Sequence, residues 1–151
     1  MMTQTTSKTL YDKDFALWIE DIVNKLKERN TANLDWENLI EEIESLGRKD
    51  KRELKNRLRT LFEHALKRQY VSLSDCYRGW EGTIIRTQTE LIDILEDSPS
   101  LRNFFIEIAH ECYQDAVKSI QKEYGSIFPD NCPFWLDVDN LLNEEFWRLQ
   151  S

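Results

Sequence analysis

Apolar and polar residues follow one another along this chain with a helical rhythm almost throughout. Phe15, Trp18, Ile19, Ile22, Val23 and Leu26 recur at three- and four-residue spacing, which lays an unbroken stripe along one side of a helix and predicts a first helix from about Asp12 to Asn30. In the stretch LDWENLIEEIESLG, Leu34 to Gly47, the apolar positions Trp36, Leu39, Ile40, Ile43 and Leu46 keep the same period. Asp35 is suited to cap this second helix, with Leu34 and Leu39 placed as a hydrophobic staple. Asn38 stands where Glu or Gln would complete a capping box, so the cap is worth about 1 kcal/mol and no more. Gly47 can take the left-handed conformation that ends a helix. Asp50 and Glu53 then have the spacing of another capping box and predict a third helix to about Tyr70, with Leu54, Leu58, Leu61, Phe62, Ala65 and Leu66 turned inward. So short a connection makes helices two and three an antiparallel hairpin.

Beyond Tyr70 the pattern weakens and then recovers. Ser72, Ser74, Asp75, Gly79 and Gly82 predict a loop from Val71 to Gly82, leading into a fourth helix from about Trp80 to Asp97 that carries Ile84, Ile85, Leu91, Ile92 and Leu95. Ser98 as N-cap and Pro99 at the first helical position open a fifth helix, because proline loses nothing where the N–H has no partner. Leu101, Phe104, Phe105, Ile108, Cys112, Ala116 and Ile120 form its inner face, and Gly125 stops it. The remainder, rich in proline and aromatics, reads as a segment strapped across a bundle, with a short helix near Asp139. The expected fold is all-α: an irregular bundle of about five main helices with a short C-terminal helix. A disordered tail over residues 1–9 precedes a single helical domain over 10–151.

Composition supports this picture and narrows the function classes. The chain has 151 residues, enough for one core, and its four Gly and three Pro leave few turn residues. Its longest apolar runs are a few residues against the roughly 20 that span a bilayer, so no membrane segment is expected. Neither a signal peptide nor a lipid anchor is expected either. Cys76, Cys112 and Cys132 are an odd, widely spaced set without a CxxC pair, which suits a reduced, cytoplasmic protein. A formal net charge of -8 opposes nucleic acid and anionic lipid as partners. Against that average, residues 48–68 hold Arg48, Lys49, Lys51, Arg52, Lys55, Arg57, Arg59, Lys67 and Arg68, a strongly basic run.

The segments LDWENLIEEIESLGR, SLSDCYRGWEGTI, EDSPSLR and FPDNCPFWL occur in the order shared by the bacterial domain-of-unknown-function family number 29, which the chain resembles from about Leu10 to Phe146. The most specific parts are Glu41 to Glu44 and Asp97 to Leu101. The resemblance implies an all-helical fold and brings no established activity, cofactor or catalytic residue. Two departures from the family pattern are Arg68, where an aromatic is expected, and Thr89 after Gln88, where Arg is expected.

Several constellations could carry chemistry. Glu37, Glu41 and Glu44 share one stripe of helix two, set roughly 130° from the centre of its apolar face by the 3.6-residue period. Glu107 and His110 form one ExxH, the spacing of di-iron bundles, but such sites need two, and His110 lies opposite the core face of its helix. No metal and no cofactor is expected. Glu44 near the end of helix two, and Lys51 and Arg52 at the start of helix three, each oppose their helix dipole at about 0.3–1 kcal/mol. They either compensate one another across the hairpin or form complementary surfaces for a partner or a second copy. Trp18 and Trp36 fall on core stripes. Trp80 and Trp135, in loop-like contexts, are packing residues or line a groove. Cys112 reads as inert core and Cys76 as the more reactive thiol.

Three functions are compatible with these features. The first is a small cytoplasmic interaction or adaptor module that binds a protein partner or itself through Glu37, Glu41, Glu44, Lys51, Arg52, Lys55 and Trp80. The alternative is an enzyme with its site between helices two and three, Glu41 or Glu44 acting as base and His64 as acid. The third is nucleic-acid association through the basic helix 48–68.

Overall fold

The computed structural model, which describes residues 7–149, is all helical. Six helices occur among those residues: α1 Ser7–Lys13, α2 Phe15–Lys27, α3 Trp36–Tyr70, α4 Ser74–Asp97, α5 Leu101–Tyr124 and the short α6 Val138–Leu141. The chain forms two compact units, one ending at Lys49 and the other beginning at Asp50.

In the N-terminal unit, the expected first helix is broken once. Asp14 adopts an extended backbone, and its carboxylate accepts from the Leu17 N–H, so the chain ends α1 and caps α2 at the same residue. α1 begins at Ser7, inside the segment that composition leaves as a tail; residues 1–6 lie outside those described. Trp18 is fully buried and donates from Nε1 to Asp35 at 3.2 Å, the buried acceptor an indole requires. Asn38 donates to the same carboxylate at 2.7 Å. Tyr11 donates its hydroxyl to Glu42. From Trp18 back to Tyr11 and from Asp35 on to Glu42 the chain runs in opposite senses, so the stretch from Tyr11 to Trp18 runs antiparallel to the start of α3. Leu34 and Leu39 join one cluster, as a staple would place them, whose buried members among the described residues are Trp18, Ile22 and Leu34.

The hairpin expected at Gly47 does not form. Gly47, Asp50 and Glu53 all lie inside α3, a single helix of 35 residues. A lone helical glycine costs about 1 kcal/mol relative to alanine, and its neighbours favour continuation. Arg48 reaches back to Glu41 at 2.8 Å and Glu44 at 3.7 Å, and Glu53 pairs with Arg57 instead of capping a new helix. The dipole penalties assigned to Glu44, Lys51 and Arg52 vanish with the helix ends that would have caused them. Glu37 in the first turn, and Lys67 and Arg68 in the last, suit the dipole of one long helix.

The C-terminal unit holds the larger core. Leu54, Leu58, Leu61, Phe62, Ala65 and Leu66 of α3 are buried with Ile84 and Leu91 of α4, Phe105, Cys112 and Tyr113 of α5, and Phe128, Phe134, Leu141 and Trp147 of the C-terminal segment. α4 starts at Ser74, well before the expected loop ends, because neither Gly79 nor Gly82 breaks it. α5 starts at Leu101; Ser98 and Pro99 form the preceding turn, their carbonyls accepting from Leu101 and Arg102. It ends at Gly125, whose φ of 82° is the left-handed conformation glycine adopts without strain. The aromatic strap is tied down at two points. Tyr113 donates to the Pro129 carbonyl, and the buried Gln88 amide donates to the carbonyls of Leu141 at 2.9 Å and Asn143 at 2.8 Å.

Candidate functional site

The surface of the N-terminal unit is unusually apolar. Of the fifteen large hydrophobic side chains that are exposed among the described residues, nine belong to this unit: Phe15, Leu17, Ile19, Val23, Leu26, Trp36, Ile40, Ile43 and Leu46. Most of these lie on stripes expected to face a core. The cluster around Trp18, Ile22 and Leu34, however, covers only part of each stripe. Ile19 and Val23 follow the buried Trp18 and Ile22 by one residue; Ile40 and Ile43 follow the inward-facing Leu39 and Glu42 by one residue. One residue is a step of about 100° around a helix. The Trp18–Asp35 and Tyr11–Glu42 bonds set the start of α3 beside residues 11–18, so the exposed α2 positions Ile19, Val23 and Leu26 form one stripe and Ile40 and Ile43 of α3 another, separate one. Trp36, half exposed, lies on it, and its Nε1 donates to the Thr31 carbonyl at 3.2 Å.

Glu37, Glu41 and Glu44 border the α3 stripe. All three are exposed, and Arg48 bridges Glu41 and Glu44. The negative field reaches Tyr11, whose hydroxyl is pushed up to about 12, chiefly by its hydrogen bond to Glu42, then by desolvation and the charges of Glu42, Glu41 and Asp12. The width of the two stripes was the missed signal: apolar positions spread over more than a single helix seam have to meet something else.

The basic residues of α3 find partners within the C-terminal unit. Lys55 pairs with Glu111 at 3.8 Å, Arg57 with Glu90 at 2.7 Å, Arg59 with Asp115 at 3.2 Å and Arg68 with Glu81 at 2.8 Å. Lys51 lies over the Phe104 ring at 5.3 Å, and Arg52 is exposed. Arg68, the departure from the aromatic family pattern, keeps a stacked arrangement: its guanidinium sits 3.9 Å from the Tyr77 ring centroid and 4.5 Å from that of Trp147.

The other candidate residues separate. With no turn at Gly47, the hairpin that was to set Glu41 and Glu44 opposite His64 is gone, and the catalytic pairing loses its premise. Nδ1 of His64 lies 2.9 Å from the Thr60 carbonyl, and burial holds the ring below the usual histidine range, with Lys67 and Arg86 adding to the effect. Trp80 is helical and buried, with Lys67 over its ring. Trp135 is 79% exposed and borders a cleft of about 440 Å³ in the C-terminal strap. The polar groups there are occupied: Asn140 donates to the Trp135 carbonyl, Asn143 accepts from the Glu145 N–H, and Arg148 pairs with Glu145. Among the described residues no three His, Cys, Asp or Glu side chains converge as metal ligands, and Glu107 and His110 are exposed. No helix among them is long and apolar enough to cross a membrane.

Fold and surface together define an all-α protein with many exposed apolar side chains on its N-terminal helices. The chain belongs to the family described as Domain of unknown function DUF29, which matches residues 10–147. No curated protein and no solved structure matches it.

Proposed function

We propose that this chain is a small protein-interaction module whose docking surface is formed by the exposed apolar side chains of the N-terminal unit. The observation that carries the reading is the exposure of Ile19, Val23 and Leu26 on α2 and of Trp36, Ile40 and Ile43 on α3, in a unit whose core holds three buried apolar side chains among the described residues. A small domain normally buries such residues, and large exposed apolar patches mark interaction sites. Its three free cysteines support a reducing, cytoplasmic setting for the module. Nucleic-acid association draws little support from α3, where acidic side chains and aromatic rings already engage most of the basic run.

The test is a pull-down from native cytoplasm at physiological salt, comparing wild type with Ile40→Gln plus Ile43→Gln. Both isoleucines are at least half exposed, so folding should change by no more than about 0.5 kcal/mol per site. A stoichiometric protein partner lost in the variant supports the surface. A partner retained by a folded variant refutes it.

A further inference from the structure

We infer that the C-terminal strap carries a site of its own, independent of the N-terminal docking surface, which binds a short oligosaccharide against the indole of Trp135. The cleft beside that ring has a volume of about 440 Å³, and small ligands occupy clefts of roughly 300–1,000 Å³. Its support is held in place. Phe134 is buried, with the Phe62 and Phe146 ring centroids 6.4 and 5.1 Å from its own, and Asn140 donates to the Trp135 carbonyl at 3.0 Å. The indole nonetheless stays 79% exposed, and its Nε1 has no hydrogen-bond partner among the described residues.

Hydrogen-bond chemistry selects the ligand. The bonds within the cleft engage only one end of each side-chain amide. Asn140 donates from Nδ2 and keeps Oδ1 as an acceptor; Asn143 accepts from the Glu145 N–H at 3.1 Å and keeps Nδ2 as a donor. The same bonds fix which way each amide is turned. Glu145 and Arg148, 3.5 Å apart and both exposed, add a carboxylate acceptor and a guanidinium donor. The cleft therefore offers donors and acceptors together beside an exposed aromatic face. An anion calls for donors alone, and an apolar ligand leaves the amides unpaired. A sugar ring fits both demands, because each hydroxyl donates and accepts while the C–H face of the ring packs on an indole. A second, smaller cleft bordered by Ile85, Glu144 and Trp147 shares Glu145 and Arg148 with the first, so a further ring has room to follow.

The full chain is mixed in turn with maltose, cellobiose, lactose and di-N-acetylchitobiose at millimolar concentration and read by saturation-transfer NMR. At least one disaccharide should bind with a Kd on the order of 1 mM or below, with transfer concentrated on the C–H protons of one ring face. Trp135→Ala should weaken that binding roughly tenfold or more with helicity unchanged, since so exposed a ring supports no core. Asn143→Asp keeps the acceptor for the Glu145 N–H but replaces the donor, and should weaken binding roughly threefold or more. Retardation of the wild type in a native gel cast with a soluble polymer of the bound sugar would assign the sugar to a chain, and free migration would assign the free disaccharide; either supports the ligand class. Transfer to none of the four disaccharides would overturn the inference. Binding that persists undiminished in folded Trp135→Ala or Asn143→Asp protein would overturn it too, by placing the sugar elsewhere. Transfer to sodium benzoate and to no sugar would replace it with an aromatic anion held by Arg148.

Discussion

Replacing Gln88 with Glu should destabilise the protein more than replacing it with Met, although Glu is the closer match in shape. The Gln88 side chain is 3% exposed, and its amide nitrogen donates to two carbonyls, those of Leu141 and Asn143, at 2.9 and 2.8 Å. Methionine keeps the volume and deletes both donors. At about 0.5–1.5 kcal/mol for each neutral hydrogen bond the loss is about 1–3 kcal/mol, partly offset because an apolar side chain is cheap to bury. Glutamate places an acceptor where the amide donated, facing two carbonyl oxygens in a site that penalises charge, and one buried group mismatched in this way costs several kcal/mol. Protonation relieves part of this, since a neutral carboxyl donates one bond. The folded pKa of the introduced carboxyl would therefore lie above its unfolded value near 4.3, and stability would fall as pH rises through the interval between the two. Urea unfolding of the three proteins at pH 5 and pH 8 is the assay. Stabilities in the order wild type, Gln88→Met, Gln88→Glu, with the last losing further ground at the higher pH, are expected. A Gln88→Glu variant as stable as wild type at pH 8 would refute the assignment of Gln88 as a double donor to the strap.

Three further outcomes are expected at single sites. Arg68→Lys keeps the charge opposite Glu81 but gives up the planar stack between Tyr77 and Trp147, and should cost about 1 kcal/mol in urea unfolding. A thiol reagent near neutral pH should label Cys76 first by mass spectrometry, because burial pushes the thiols of Cys112 and Cys132 up to about 11; early modification of Cys112 in folded protein would contradict its placement. Burial holds His64 below its unfolded value near 6.5, so stability should decline as pH falls through that value toward the folded one, and His64→Gln should flatten that part of the profile.

Local chemistry made much of the fold legible. Leu34, Asp35 and Leu39 announce a helix start because a staple and a carboxylate act over a few residues, and Trp18 on a regular stripe announces a buried indole in need of an acceptor. Gly47 misleads because glycine only weakens a helix; whether the chain turns there depends on the residues after it, and Arg48, Lys51, Arg52 and Glu53 are good helix formers. Asp50 and Glu53 have the spacing of a capping box, but Glu53 and Arg57 also have that of an i,i+4 pair, and spacing alone does not choose between them. Trp80 reads as part of a loop for the same reason, since the glycines on either side of it obscure the stripe that continues through Ile84 and Leu91. At the candidate site the carboxylate row on Glu37, Glu41 and Glu44 was legible and its apolar neighbour was not. Periodicity identifies a stripe without saying whether anything covers it.

Under the docking surface proposed above, the small core that Trp18, Ile22 and Leu34 form among the described residues would tie the survival of this protein to company. A segment with so little buried surface opens at a small fraction of the global unfolding free energy, and a protease that cuts the open form works at a rate set by its population. Whatever closes over Ile40 and Ile43 lowers that population by mass action. Copies without a partner would be cleared first, so the amount of protein in the cell would track the amount of its partner, with no dedicated regulator.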